Sequence, residues 1–352
     1  MPDTGPPPFP DDIPTVPLAV IDYGLIQRRD SFEIDRLWDA ATQLGFWYLK
    51  NHGCENEADG MFAVGAETMG LPLNEKMNFT QGTTGNTFGY RSSGSTAVDA
   101  SGTPGPMEGI GVSKDDALAW PRVVRRTYPS TVDARMESSI IPFVRRSVEI
   151  NNTLINVFND KLGLPTGTLA QKHAAHMLSG SEARCLRAPP NQNLSDIKIS
   201  LGAHTDYGSL SILHHRVIGG LQVLLPGSEE WRYVKPIPRH AICNIGDALC
   251  IFSAGILRSG MHRVIPPPQN QAAYERWSVI FFTRPGDDVL LEALSSHSAI
   301  ILEAVEKEKP GKFDTGSTAG EWLARRVKYR FVSERKGPET WLAAGGTEHA
   351  TI

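Results

Sequence analysis

Cysteine is scarce. The chain has four in 352 residues, Cys54, Cys185, Cys243 and Cys250. None form Cys-x-x-Cys, which argues against a zinc ribbon or a thioredoxin-type redox motif. A chain this long needs no disulfide staples, so the cysteines are expected to be reduced thiols in a cytoplasmic protein, with Cys243 and Cys250 as small buried hydrophobes. Long apolar runs are also missing. None approaches the roughly 20 residues that span a bilayer, so no membrane role is expected. Nor is there an excess of positive charge. The formal net charge is −4 and the pI about 6.2, and a phosphate-binding surface needs clustered cations, so no nucleic-acid partner is expected. The first residues, Met1 to Pro8, lack a basic leader and an apolar segment, so secretion is not expected.

What is present is ordinary for a globular chain: 40% hydrophobic and 21% charged residues. The length allows one large domain or two ordinary ones. Residues 1–17 hold seven prolines and read as an extended arm. Val16 to Asp22 reads as a short strand. Asp30-x-x-Glu33 then opens a helix whose stripe is Ile34, Leu37, Trp38 and Ala41 and whose stop is Gly45. Phe46-Trp47-Tyr48-Leu49 reads as a strand. Residues 81–113, rich in Gly, Ser and Thr, read as a long loop with little strand or helix, lining or covering a site. A second helix is predicted over 136–162, ending at Gly163 and Pro165.

From 184 to 292 short apolar runs alternate with turn signals. Predicted strands are 209–213, 221–225, 241–245, 248–252 and 277–283. Several short strands at this spacing imply a sandwich or barrel, braced on one side by the N-terminal helices. No internal repeat is visible.

The chemistry concentrates in this region. His204-Thr205-Asp206 sets two donors at i and i+2, which share one side of an extended strand. His262 follows after enough chain for several strands to return it to the same spot. Two imidazoles and one carboxylate are the ligand set of non-haem iron(II) oxygenases, which leave coordination positions open. Arg276-Trp277-Ser278 then opens an apolar strand. A 2-oxoglutarate dianion on a ferrous ion with one aspartate gives a centre of net −1, so its distal carboxylate needs a separate cation. Arg276 offers a planar fork and Ser278 a hydroxyl on the same strand face. The bland alternative for Arg276, a surface ion pair with Glu275, leaves Ser278 and the apolar strand unexplained. His173, His176, His214, His215 and His240 lack a comparable partner set and read as structural or solvent-facing.

These residues resemble, in order, the isopenicillin-N-synthase-like branch of the iron(II)/2-oxoglutarate-dependent dioxygenases. Ile21-Asp22, Gly45-Phe46-Trp47 and Asn51-His52-Gly53 resemble the N-terminal region. His204-Thr205-Asp206, Gly219-Gly220-Leu221-Gln222-Val223, Trp231, Asn244-Ile245-Gly246-Asp247, His262-Arg263-Val264 and Arg276-Trp277-Ser278 resemble the catalytic core. Gly320-Glu321-Trp322-Leu323 resembles the C-terminal helix. The resemblance implies a mainly β fold with flanking helices around a double-stranded β-helix, or jelly-roll, core. It divides the chain into an N-terminal region (1–183), the jelly-roll core (184–292) and C-terminal helices (293–352), packed as one unit, a monomer or weak homodimer.

The resemblance further implies Fe(II) held by His204, Asp206 and His262, and 2-oxoglutarate held by Arg276 and Ser278. With O2 these give succinate and CO2 while an unactivated C–H bond of a small molecule is hydroxylated, desaturated or drawn into a ring, in specialised metabolism. The chain departs from the plant-type pattern of Asn-x-Tyr before a Pro-Pro pair. Leu186 and Ala188 stand at those two positions, ahead of Pro189-Pro190, and Arg187 is either a replacement anchor, for 2-oxoglutarate or an acidic substrate, or an outward-facing strand charge. Phe88, Tyr90, Arg91 and Met107 are candidate substrate contacts. Two variants keep the iron, one oxidising its substrate without 2-oxoglutarate and one fragmenting 2-oxoglutarate to ethylene. A third possibility is a non-catalytic small-ligand-binding protein that reuses the fold.

Overall fold

A computed structural model describes residues 5–83, 85, 87–191 and 199–347. The first four residues of the expected arm and the last five of the C-terminal segment lie outside them. The N-terminal part supplies β1 (Val20–Asp22), β2 (Phe46–Lys50), β3 (Gly89–Arg91) and β4 (Glu108–Ser113). The remainder supplies β5 (Glu182–Ala188), β6 (Leu201–His204), β7 (Leu210–His215), β8 (Leu221–Leu224), β9 (Trp231–Tyr233), β10 (Ala241–Ile245), β11 (His262–Val264) and β12 (Arg276–Thr283). An eight-stranded sheet runs β1-β2-β10-β7-β12-β5-β4-β3, and a four-stranded sheet runs β6-β11-β8-β9. The two sheets enclose a cavity of about 110 Å³, lined from the large sheet by Leu186, Ser211 and Ser278 and from the small one by Leu201, His204 and Val264. This is the jelly-roll architecture.

The large sheet is covered on both faces, which is why its strands read as unbroken apolar runs. In β2 the alternation is plain. Trp47 and Leu49 join the core under the helices, while Phe46 and Tyr48 join the cluster between the sheets with Leu221, Val223 and Ile242. The helices Glu55–Met69 and Ile141–Lys161 pack on the outer face, against Cys185, Ile212, Val279 and Phe281. A π-helical turn, Met136–Ile140, precedes the second of these. Asp30 caps the helix Ser31–Gln43 by accepting the Glu33 N–H at 2.9 Å.

Two expectations fail. The stretch 81–113 is not one loop, because it contributes β3 and the six-residue, fully buried β4. Its glycines on β4 mark close packing and not a turn. A Cβ at Gly109 would collide with Leu186 Cδ2, and one at Gly111 would stand 2.5 Å from Glu182 Oε2. The run 248–252 is not a strand but part of a buried helix, Asp247–Phe252. The Asp247 N–H donates to Asp206 O and the Ala248 N–H to Gly208 O, both at 2.8 Å, which fixes its first turn. A five-residue apolar run has no period with which to tell a buried helix from a strand.

Three histidines outside the site are structural. His173 bridges Leu169 O through Nδ1 (2.7 Å) and Ser209 Oγ through Nε2 (2.6 Å). His214 packs edge-on against Phe143, and His215 occupies the next position on the opposite face of β7. Burial first of all holds His173 and His215 down at about 4 and His214 well below its ordinary value. All three are therefore neutral in the fold and take up a proton on unfolding as the pH drops below about 6.5. Stability is fully present above that pH and is lost on acidification toward 4. Urea unfolding of the metal-free protein is expected to weaken over this window by about 1.4 kcal/mol per pH unit for each group. A midpoint independent of pH between 6.5 and 4 contradicts this.

Candidate metal and co-substrate site

The antiparallel pairing of β6 with β11 sets His204 directly opposite His262. Asp206 lies two residues beyond the end of β6, past the expected strand, yet turns to the same side. The Nε2 atoms of His204 and His262 each lie 3.7 Å from Asp206 Oδ1. The three ligand atoms all lie within 4.8 Å of one another, and all three side chains are buried.

Each donor is aimed by its other end. His204 Nδ1 is 2.8 Å from Gly202 O, and His262 Nδ1 is 3.1 Å from Gly260 O. A carbonyl only accepts, so each Nδ1 carries the proton and each Nε2 turns a lone pair inward. Asp206 Oδ2 accepts from Ser211 Oγ (2.5 Å) and Asn244 Nδ2 (2.8 Å), which leaves Oδ1 for the centre. Burial, and next the facing His262, keep the His204 pKa well below normal, so it is a neutral ligand. Burial pushes the Asp206 pKa up, but the charge of His262 when that ring is protonated, the Ser211 and Asn244 hydrogen bonds and the Arg284 charge together bring it below its ordinary value. Two lone pairs and a carboxylate converging in a buried pocket are costly without a cation. The donor set fits a divalent iron and leaves the cavity side open.

Beneath the ligands, Arg326 of the helix Ala319–Lys328 is completely buried. It pairs with Asp247 and donates through Nη2 to Thr205 O (3.3 Å), the residue between two of the donors. Asp247 Oδ1 also accepts from Ser259 and Thr347 hydroxyls at 3.0 and 2.7 Å. Substitution of Arg326 by methionine removes the charge partner of the buried Asp247 carboxylate and is expected to cost about 3–5 kcal/mol of stability. Chemical denaturation measures this, and an unshifted midpoint contradicts it.

Arg276 and Ser278 face the same cavity. Arg276 is 4% exposed, which removes the surface ion-pair alternative. Its Nε donates to Gly219 O (2.9 Å) and its Nη1 to Ser278 Oγ (2.7 Å), so the Ser278 hydroxyl hydrogen is free to point elsewhere. Burial pulls the Arg276 pKa down to about 10, and no carboxylate among the described residues pairs with it.

Of the two readings of Arg187, the anchor is the one the structure does not support. Strand alternation on β5 turns Arg184, Leu186 and Ala188 inward and Arg187 outward. Its guanidinium pairs with Glu108 and Glu275 and lies over the Trp277 ring, so it is no co-substrate anchor. Leu186 and Ala188, opposite Ser278 and Arg276 in the β5–β12 register, offer no polar atom from their side chains. Of the four substrate candidates, Arg91 and Met107 line the cavity. Phe88 and Tyr90 do not. They alternate with Arg91 along the chain at β3, and the Tyr90 hydroxyl is bound to Glu108 at 2.6 Å. Arg184, Arg284 and Arg330 also stand on the cavity wall and escape sequence reasoning. No local spacing marks them, because three separate elements bring them together.

A buried two-histidine, one-carboxylate centre inside a jelly roll defines a non-haem iron oxygenase. Comparison with known proteins narrows this. Residues 179–285 match the 2OG-Fe(II) oxygenase superfamily, and residues 17–125 match the family described as non-haem dioxygenase in morphine synthesis N-terminal. The chain therefore belongs to the Fe(II)/2-oxoglutarate-dependent dioxygenases, which are oxidoreductases using Fe(II) and 2-oxoglutarate. A 2-oxoglutarate-dependent dioxygenase of Aspergillus fumigatus is 28% identical over 335 residues, covering 84% of this chain and 82% of its own. Two solved structures share the fold. A 2OG-Fe(II) oxygenase family protein of Caulobacter crescentus has a TM-score of 0.71 at 21% identity, over 89% of this chain and 99% of that one. A full-length Neurospora crassa protein, solved in complex with alpha-KG and 5-formyluracil, has a TM-score of 0.69 at 19% identity, over 92% and 99%.

Proposed function

We propose that His204, Asp206 and His262 hold the iron, that Arg276 and Ser278 bind the distal carboxylate of 2-oxoglutarate, and that the enzyme oxidises an unactivated C–H bond of a small molecule in specialised metabolism. The observation that carries this reading is the shared cavity. The triad and the buried, carboxylate-free Arg276 open onto the same space between the sheets. The bound iron with O2 and 2-oxoglutarate supplies the oxidising power. The chain's own residues do the rest. Ser211 and Asn244 hold the Asp206 carboxylate in place. Arg276 orients the diacid through its fork while Ser278 turns its hydroxyl to the same carboxylate. The apolar walls, among them Met107, Leu186, Leu201, Ile280 and Phe282, keep bulk water from the reacting centre.

A cavity of about 110 Å³ between the two sheets supports a small molecule over a macromolecular substrate. The test is succinate release from the iron-loaded enzyme against a metabolite library. Succinate formed only with particular small molecules, in step with their oxidation, is the expected result. Substrate oxidation without succinate supports the 2-oxoglutarate-independent variant. Ethylene without substrate oxidation supports the fragmenting one. No turnover with any compound favours a non-catalytic binding protein.

A further inference from the structure

Arg91 is the anomaly of the cavity. It stands at the end of the edge strand β3, is 9% exposed, and lines the same space as the metal ligands. Its Nε and Nη2 atoms are shut off from solvent and have no hydrogen-bond partner among the described residues. Its charged neighbours make matters worse. Burial, then Arg184 and Arg330, pull its pKa down to about 9. Arg184 is already committed to Glu182 at 2.6 Å and to Thr87 O at 3.3 Å. Glu182 is in turn shared with Arg284 at 3.0 Å. That corner of the cavity therefore holds more guanidinium charge than carboxylate. An unpaired buried cation is expensive, and its cost is offset only when an anion enters.

The co-substrate does not fill this role. Strands β4 and β5 lie between β3 and β12. Through Gly109 and Leu186, three strand spacings put the backbones of Arg91 and Ser278 about 14 Å apart, and Arg276 lies two residues further along β12. A five-carbon diacid chelated to the metal and held by Arg276 leaves Arg91 unmatched. Met107, Leu186 and Leu201 pack together and give the same cavity an apolar wall.

We propose that Arg91 is the substrate's anion anchor, and that the substrate is a small, mainly apolar molecule bearing one carboxylate. Arg91 receives that carboxylate through its unpaired Nε and Nη2 donors, which form a fork suited to a planar acid. The apolar body lies along the Met107–Leu186–Leu201 wall, within reach of the metal centre. This rests on the iron and 2-oxoglutarate reading above.

The test uses the full chain loaded anaerobically with Fe(II) and 2-oxoglutarate, whose visible charge-transfer band reports the complex. Octanoate and 4-phenylbutyrate are titrated beside their primary amides. The acids are expected to perturb the band saturably and to bind at least about tenfold tighter than the amides, since a hydrogen bond to a charged partner is being compared with a neutral one. R91M is expected to abolish that preference while leaving the 2-oxoglutarate affinity unchanged. R91K, which keeps the charge, retains most of it. Without ligand, R91M unfolds at a higher temperature than the wild type, because a buried unpaired charge has been removed. Equal binding of acid and amide, no binding of either acid, a preference that survives in R91M, or a loss of 2-oxoglutarate affinity in R91M overturns the proposal. Failure of the wild type to form the band overturns the underlying reading instead.

Discussion

Alanine at position 262 will strip the protein of iron and of turnover together. His262 supplies one of only three protein donors among the described residues, and its Nδ1–H is anchored on Gly260 O. Phe46 packs edge-on against the imidazole with ring centroids 5.4 Å apart, so the space left by the deletion has an apolar neighbour that cannot ligate. Loss of an outer hydrogen-bond partner alone typically costs 10–100-fold in metal affinity. Loss of a ligand is expected to cost at least about a hundredfold, with turnover reduced at least about a thousandfold because the oxidising chemistry belongs to the metal. Calorimetric titration with Mn(II) measures the first effect and succinate release the second. His176→Ala, at an exposed position, is the control and is expected to change neither. A His262→Ala protein that binds metal normally contradicts the assignment.

Leucine in place of Arg276 will raise the KM for 2-oxoglutarate by roughly two orders of magnitude. Truncating one partner of a buried, hydrogen-bonded charge pair costs about 2–5 kcal/mol, and each 1.4 kcal/mol is about tenfold. Arg276→Lys keeps a charge but loses the fork and the Nε bond to Gly219 O, so its defect should be smaller and partial. The two variants separate binding from folding. In the wild type without co-substrate, Arg276 is a buried cation with no carboxylate partner among the described residues, and removing its charge is expected to leave thermal stability unchanged or raised. A variant that lost both stability and co-substrate affinity would point to a structural role. A variant with an unchanged KM would remove Arg276 from co-substrate binding altogether.

The convergence of His204, Asp206 and His262 was legible in the sequence because their geometry is local. His204 and Asp206 sit at i and i+2, and His262 needed only a returning strand to meet them. Arg276 and Ser278 share a strand face for the same reason. Strand alternation also decides between the two readings of Arg187. With Leu186 and Ala188 assigned inward, alternation sends Arg187 outward, to Glu108 and Glu275. Tyr90 and Phe88 could not be rejected that way, because β3 was hidden in a glycine-rich stretch that mixes turn glycines with the packing glycines Gly109 and Gly111. The helix at 247–252 was hidden by brevity. Arg326 and Asp247 are 79 residues apart in the chain, and only the packed fold brings such partners under Thr205. The same holds for Arg184 and Arg330, which share the Arg91 corner without any motif to join them.

The central claim is that His204, Asp206 and His262 hold one ferrous ion with room for 2-oxoglutarate beside it. Anaerobic titration of the purified chain with Fe(II) in the presence of 2-oxoglutarate tests it most directly. The expected result is a weak visible charge-transfer band that saturates at one iron per chain and is absent from His262→Ala. A wild type with no such band, or a band of equal strength in the variant, contradicts it.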